Sequence, residues 1–125
     1  MRPVLLAKAL GIISCLGVMA TAAQAADYPT KPIKITVGYG AGGGTDAFVR
    51  AMSESMAKSL GQPVLVTNRP GAGGGVSAMA VKSEPADGYN LVATGSVAYT
   101  FEPQVLKTKY TYKDFDHIYM PVLFQ

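Results

Sequence analysis

The chain has 125 residues, a formal net charge of +3 and one cysteine. Two of its 11 basic residues, Arg2 and Lys8, lie close to the amino terminus, so the remainder is nearly neutral. No basic cluster is left to neutralise a nucleic-acid backbone, which argues against nucleic acid as a partner. A chain of this length can build one small domain.

Residues 1–25 have the form of a secretory signal peptide. After the basic start, Leu10–Ala20 is apolar, and the sequence AQA at Ala23–Ala25 matches a cleavage site with small residues. We therefore expect export and a mature chain of residues 26–125.

Cys15 is the basis of an alternative, in which the protein carries a lipid anchor. The apolar stretch before Cys15 is very short for a lipoprotein signal, and apolar residues continue after it. Cleavage at the AQA site removes this cysteine. A disulfide framework and a thiol nucleophile are then both excluded.

Alternating and periodic apolar residues predict an α/β fold in which strands and helices alternate along the chain. Strands are expected at Ile33–Val37, Val64–Thr67 and Leu91–Thr94, with helices at Asp46–Leu60 and Val76–Ser83. Strands that alternate with helices in this way predict a parallel βαβαβ sheet with right-handed crossovers.

Each helix is expected to bury one face. In the first helix, apolar residues from Phe48 to Leu60 recur at three- and four-residue spacing, which places Arg50 on the other side. The second helix is expected to present a single face made of Val76, Met79, Ala80 and Ser83.

The pattern after the third strand is weaker. It predicts a short helix near Ser96–Thr100 and a further strand that starts at His117. We expect His117 to be a half-buried strand residue, because neither a partnered serine nor further metal ligands accompany it. The sequence predicts no catalytic constellation, no metal site and no cofactor.

The pentapeptide GAGGG occurs twice, at Gly40–Gly44 and at Gly71–Gly75, each time between a predicted strand and a predicted helix. Parallel strands place both loops at the same edge of the sheet, where open α/β sheets bind ligands. Tight loop geometry alone is the alternative explanation of the repeat.

The first glycine loop does not fit a nucleoside triphosphate, because Thr45 and Asp46 follow its last glycine instead of a lysine and a hydroxyl residue. Residues 38–43 do match the dinucleotide fingerprint, which leaves a secreted dinucleotide-dependent enzyme as an alternative function. The second strand, however, ends without the acidic residue that this fingerprint requires for the ribose.

The start of the first helix is a general site for an anion. The first N–H groups of a helix are unpaired and bind a carboxylate as readily as a phosphate, and Gly42–Gly44 let a ligand approach the backbone. Thr45 is the predicted N-cap. Asp46 is expected to complement the helix dipole from the first turn rather than to act in catalysis.

Three motifs follow one another along the chain: AGGGTD at residues 41–46, NRPGAGG at residues 68–74 and DGY at residues 87–89. With the export signal, they resemble the substrate-binding receptors of the tripartite tricarboxylate transporters, the Bug-type periplasmic solute-binding proteins. The resemblance extends from Tyr28 to about Phe115. Family members are several times longer, so residues 26–125 resemble part of the N-terminal lobe of a two-lobed periplasmic binding protein.

The resemblance implies a periplasmic receptor that is not an enzyme. It would capture a small organic acid and deliver it to the membrane permease subunits of a transporter. A non-binding truncated fragment is a further alternative. The resemblance places the ligand between two lobes that close on it, and in this lobe it faces loops at one edge of the sheet, with these residues: Ala41, Gly42, Gly43, Gly44, Thr45, Asp46, Asn68, Thr94, Gly95 and Ser96.

Overall fold

A computed structural model describes residues 27–119. Three strands, β1 (Ile33–Val37), β2 (Val64–Asn68) and β3 (Asn90–Ala93), form one parallel sheet. β1 is the central strand, in the order β2-β1-β3. The predicted parallel βαβαβ arrangement is therefore confirmed, with strand ends that differ from the expected ones by at most one residue.

Helix α1 (Gly44–Leu60) connects β1 to β2, and helix α2 (Gly75–Lys82) connects β2 to β3. The N-cap of α1 is Gly43, in an extended conformation, so the prediction of Thr45 as the N-cap is wrong: Thr45 already lies within the helix. Gly61 ends α1 in the left-handed conformation, with a φ of 67°. Within residues 27–119, none of the helices has the length and apolar character that crossing a membrane requires.

The core lies between β1 and α1. Ile35 and Val37 point to the same face of the sheet because side chains alternate along a strand, and both are buried together with Val49 of α1. The predicted apolar stripe of α1 is confirmed. Partly buried side chains complete this cluster: Tyr39, Phe48, Met52, Met56, Val64, Val66, Leu91 and Ala93.

Helix α2 packs through small residues, and the predicted apolar face is wrong. Ser77 and Ala78 are buried, whereas Val76 and Met79 are 43% and 40% exposed. The reason is a close approach of the backbones: a Cβ atom on Gly38 would lie 2.7 Å from the Ser77 hydroxyl. Larger side chains do not fit between α2 and the end of β1.

Two single-turn helices follow β3, namely α3 (Val97–Thr100) and α4 (Glu102–Val105). The first of them agrees with the predicted short helix. Tyr110 is buried, and its hydroxyl donates a hydrogen bond to the Ala98 carbonyl oxygen at 2.8 Å. This bond fastens the segment after α4 against α3.

The predicted strand from His117 is wrong for residues 117–119, which form no strand; the remainder of that segment lies outside the described residues. A 3-10 turn at Tyr112–Asp114 redirects the chain before it can join the sheet. His117 is exposed, and its imidazole Nε2 lies 3.3 Å from the Tyr112 carbonyl oxygen. It is therefore not a half-buried strand residue.

Candidate functional site

The three predicted ligand loops emerge at one edge of the sheet, because β1, β2 and β3 are parallel. We call this the carboxyl edge and define it by a first loop (residues 38–43), a second loop (69–74) and a third loop (94–96). The chain passes from β1 to one neighbour and then crosses to the other. Open α/β sheets bind ligands at such a topological switch point.

Asp46 is the centre of a hydrogen-bond network that joins α1 to the first loop and to β2. Its Oδ2 atom accepts hydrogen bonds from the Gly42 N–H at 2.8 Å and from Arg50 Nε at 3.0 Å. Its Oδ1 atom accepts one from Asn68 Nδ2 at 2.8 Å. Arg50 Nη2 also donates to Asn68 Oδ1 at 3.0 Å, which closes a triangle of side chains.

The Asp46 side chain is ionised and buried within this network, with the residue only 3% exposed. The hydrogen bond from Arg50, followed by those from Gly42 and Asn68, holds the pKa of Asp46 well below its usual value. The predicted first-turn position of Asp46 is confirmed. Its contacts also give it a second role, since they fasten the first loop and engage the Gly42 N–H.

Arg50 was expected on the solvent side of α1 and was not predicted as a site residue. It is half exposed, yet it pairs with the carboxylate one turn earlier in the helix. The spacing of four residues between Asp46 and Arg50 was an available signal, because such residues are neighbours on a helix surface. The contact to Asn68 could not be read from that spacing.

The start of α1 presents backbone N–H groups to solvent. Its N-cap, Gly43, has no side chain that could accept a hydrogen bond from the first turn. Within residues 27–119, the N–H groups of Gly44 and Thr45 make no hydrogen bond to the rest of the chain. Gly44 is exposed and Thr45 is half-buried.

Tyr39, in the first loop, contacts the other two loops of the carboxyl edge. Its hydroxyl accepts a hydrogen bond from the Gly95 N–H at 3.1 Å and lies 3.5 Å from the Gly73 carbonyl oxygen. Its own carbonyl oxygen accepts a hydrogen bond from Asn68 Nδ2 at 3.1 Å. Sequence reasoning missed this residue; an aromatic side chain inside a glycine-rich loop was the signal.

Thr94 lies between the first and second loops. Its Oγ1 atom is buried and has no hydrogen-bond partner in the described part of the chain. A Cβ atom on Gly38 would lie 2.6 Å from this oxygen, and one on Gly74 would overlap it. Because glycine has no Cβ atom, Gly38 and Gly74 leave room for the Thr94 hydroxyl at the carboxyl edge.

The predicted site residues differ in how closely the structure brings them together. Asp46 and Asn68 are in direct contact, and Gly95 joins them through Tyr39, whereas the hydrogen bonds of Ser96 stay within α3. By exposure, the set divides into the exposed residues Ala41, Gly42, Gly43, Gly44 and Ser96, the partly buried residues Thr45, Asn68, Thr94 and Gly95, and the buried Asp46.

The side chains of residues 27–119 bring together no group of three histidine, cysteine, aspartate or glutamate residues that could hold a metal ion. A dinucleotide site requires an acidic residue at the end of β2 for the ribose. That position holds Asn68, whose amide is engaged with Asp46 and Arg50. The chemistry of the edge is thus that of backbone N–H groups, an amide and a hydroxyl.

Residues 48–122, more than half of the chain, match the model of the tripartite tricarboxylate transporter family receptor. The chain belongs to this receptor family. A UPF0065 protein of Bordetella bronchiseptica is 42% identical to it over 106 residues, which cover 85% of this chain and 30% of the relative. Receptors of this family are periplasmic solute-binding proteins.

Solved structures of the same family share the fold. A TctC solute binding protein from Polaromonas matches this chain with a TM-score of 0.63 and 36% identity. The match covers 70% of this chain and 30% of that protein. MatC from Rhodopseudomonas palustris, solved with bound malate, matches with a TM-score of 0.57 and 31% identity. This match covers 67% of this chain and 29% of MatC. The chain thus spans about 30% of the length of these relatives.

Proposed function

We propose that this chain is part of a periplasmic receptor that captures a small carboxylate-bearing solute for a tripartite tricarboxylate-type transporter. Residues 1–25 direct export, and residues 26–125 form part of the N-terminal lobe. The membrane permease subunits of the transporter receive the solute. The protein binds and releases the solute unchanged and is not an enzyme. Family membership and the malate bound to MatC support this proposal.

The uncapped start of α1 is the observation that carries the proposal. The N–H groups of the first helical turn carry partial positive charge and bind an anion without further devices. A side-chain oxygen usually occupies this position, but Gly43 leaves it open. The carboxylate of a small organic acid can therefore bind the N–H groups of Gly44 and Thr45.

The negative charge of Asp46 does not oppose this binding, because the Arg50 guanidinium lies 3.0 Å from the Asp46 carboxylate. The two formal charges cancel, and the partial positive charge of the helix start remains available to the solute. In this proposal Asp46 and Gly42 shape the loop. Asn68 shapes it as well, because its amide is engaged with Tyr39, Asp46 and Arg50. The solute is contacted by Ala41, Gly43, Gly44, Thr45, Thr94, Gly95 and Ser96.

Substitution of Gly44 by proline tests the proposed donor. Gly44 is the first residue of α1, where proline is tolerated, and the preceding Gly43 has the extended conformation that proline favours. Gly44→Pro thus removes one N–H donor and leaves the helix intact. Gly44→Ala is the matched control, since it keeps the N–H and adds a Cβ atom that meets nothing within 4 Å.

Calorimetric titration of the full chain with malate and with citrate measures the binding. We expect Gly44→Pro to weaken carboxylate binding by about tenfold or more, the cost of a lost hydrogen bond to a charged group, and Gly44→Ala to bind as the wild type does. Equal affinities of the proline and alanine variants would contradict the role of Gly44. Binding of NAD without any response to the acids would reverse the receptor proposal itself.

Expression in a bacterial host tests the proposed export. We expect the protein in the periplasmic fraction with Ala26 as its first residue, as the cleavage site predicts. A full-length chain retained in the cytoplasm would overturn this part of the proposal. Release at Cys15 with an attached lipid would support the lipid-anchored alternative instead.

A further inference from the structure

A groove of about 280 Å³ lies between α2 and the adjoining strands. It is on the face of the sheet opposite to the core, because Thr36 alternates along β1 with Ile35 and Val37, which pack against α1. Its volume is close to the lower limit of about 300 Å³ for small-molecule sites. We call it the α2 groove and define it by these lining residues: Thr36, Thr67, Arg69, Ala80 and Val81.

Two hydroxyl groups lie side by side in the α2 groove. Thr36 and Thr67 are partners in the register of β1 and β2, so their side chains share one face of the sheet. Around them, the side chains that form hydrogen bonds within residues 27–119 are Lys34, Glu84 and Asn68. The two threonine hydroxyls form none there, so both can donate to a ligand.

The Thr36 hydroxyl is directed into the α2 groove. The residue is only 6% exposed, and a buried hydroxyl without a partner is costly. In the described part of the chain, Thr94 Oγ1 is the one side-chain polar atom that is both fully enclosed and unpartnered. The Thr36 oxygen is therefore not enclosed, and a partner reaches it through the groove.

The α2 groove has one positive charge in excess. Lys34 and Glu84, which also line it, form an ion pair at 3.3 Å. Arg69 forms no ion pair with a carboxylate of residues 27–119. Arg69 lies four residues beyond Leu65, the strand partner of Lys34, which is about 13 Å along the strand direction. Its guanidinium is therefore available to an anion.

We propose that the α2 groove is an anion site separate from the first loop and binds a short aliphatic monocarboxylate. The Arg69 guanidinium and the hydroxyls of Thr36 and Thr67 donate hydrogen bonds to the carboxylate. Ala80 and Val81 provide an apolar wall for a carbon chain, which inorganic phosphate lacks. A single carboxylate balances the one excess positive charge, whereas a dianion would leave a negative charge unpaired.

Amide NMR spectra of the full chain, recorded during titration with butyrate, test this site. A parallel titration uses inorganic phosphate, and both are carried out at low ionic strength because salt screens exposed charges. The reporters in the α2 groove are the N–H groups of Thr36, Thr67 and Arg69. The N–H groups of Gly44 and Thr45 report separately on the first loop.

Two pairs of variants separate the contributions of charge and hydroxyl. Arg69→Gln removes the charge of an exposed side chain, and Lys58→Gln is its matched control, because Lys58 is an exposed cation in the last turn of α1. Thr36→Val removes the hydroxyl, whereas Thr36→Ser keeps it. Valine is well suited to a strand and Arg69 is on the surface, so these variants should fold.

In the wild type, we expect butyrate to shift the groove signals until they saturate, and phosphate to bind at least about tenfold more weakly. Arg69→Gln should weaken butyrate binding by about tenfold or more, and Thr36→Val by about twofold to tenfold, as expected for the loss of a charged and of a neutral hydrogen bond. Lys58→Gln and Thr36→Ser should bind butyrate as the wild type does.

Groove signals that butyrate leaves unchanged, or equal affinities of Arg69→Gln and Lys58→Gln, overturn the inference. Equal losses in Thr36→Val and Thr36→Ser remove the hydroxyl from the site, and phosphate binding as tight as that of butyrate contradicts the carboxylate assignment. Shifts confined to Gly44 and Thr45 overturn the groove site and leave the receptor proposal intact. A groove that responds to butyrate in a chain whose first loop is silent toward malate supports the inference and contradicts the first-loop site.

Discussion

The Tyr39 hydroxyl accepts a hydrogen bond from the backbone N–H of Gly95 at 3.1 Å. This bond joins the first loop of the carboxyl edge to the third, and the same hydroxyl reaches the Gly73 carbonyl oxygen of the second loop. A side chain at position 95 would displace the hydroxyl, because its Cβ atom would lie 2.5 Å from it. Three segments that are distant in sequence are thus held by one phenol group.

Tyr39→Phe should loosen the third loop while the core stays intact. The ring still packs against the core, but the Gly95 N–H loses its acceptor, at a cost of about 0.5–1.5 kcal/mol for one hydrogen bond. We expect faster amide hydrogen exchange at Gly95 and unchanged exchange at Ile35. Tyr89→Phe is the control, since the Tyr89 hydroxyl accepts the Thr30 N–H at 2.9 Å far from the loops. Unchanged exchange at Gly95 in Tyr39→Phe would contradict the prediction.

Asp46 should make the stability of the chain depend on pH. The pKa of Asp46 is depressed in the folded state, so its stabilisation is complete above the unfolded-state pKa of about 3.9 and is lost as the pH falls through the folded-state pKa. We expect Asp46→Asn to lower the Tm at pH 7, and the difference from the wild type to shrink below about pH 4.

Thermal melts over a series of pH values measure this effect. Asp87→Asn is the control, because the Asp87 carboxylate forms an exposed ion pair with Lys31 at 2.9 Å. Exposed pairs contribute little and are screened by salt, so Asp87→Asn should change the Tm less than Asp46→Asn does. A Tm difference for Asp46→Asn that stays constant down to pH 2 would show that its charge is not the cause.

Gly74→Ala should destabilise the chain much more than Gly40→Ala. At position 74 the φ of 107° is unfavourable for alanine, and the added Cβ atom would overlap Thr94 Oγ1. At position 40 a Cβ atom meets nothing within 4 Å. We expect a loss of more than about 1 kcal/mol for Gly74→Ala and a change within about 0.5 kcal/mol for Gly40→Ala, measured by urea unfolding. Similar losses for both variants would indicate a general sensitivity of the glycine loops.

Ile35→Ala should cost about 2–5 kcal/mol of unfolding free energy, because it leaves a cavity between β1 and α1. Ile35 is 2% exposed at the centre of the core. Leu65→Ala is the matched control on the neighbouring strand, where the side chain is 54% exposed. We expect its cost to stay below about 1 kcal/mol. Equal losses of unfolding free energy in Ile35→Ala and Leu65→Ala would contradict the position of the core between β1 and α1.

The sequence predicted the sheet and α1 well, because both depend on local periodicity. Ile33, Ile35 and Val37 alternate with polar residues, and the strand they predict has the observed bounds. The parallel order then places all three loops at one edge. The N-cap of α1 was misplaced at Thr45, because its side-chain oxygen makes it the more obvious candidate, whereas glycine, which is at position 43, is also a tolerated N-cap.

The contacts that distinguish the two glycine loops could not be predicted in the same way. Glu102 and Tyr110 lie in a segment without apolar periodicity, and their positions follow from packing against the second loop. The interaction of Tyr39 with Gly95 likewise joins residues from different strand ends. Such contacts depend on the assembled sheet, so the local pattern of the sequence contains no signal for them.

Of the three strands within residues 27–119, the one synthesised first, β1, lies in the middle of the sheet. Ile33 pairs with Val64, and Lys34 pairs with Asn90, much later in the chain. During synthesis β1 therefore has two open edges until β2 appears, and one open edge until β3 appears. Gly95 lies two residues after the end of β3, so the loops of the carboxyl edge can meet only after β3 has joined the sheet. Assembly of the carboxyl edge is thus a late event in the folding of residues 27–119.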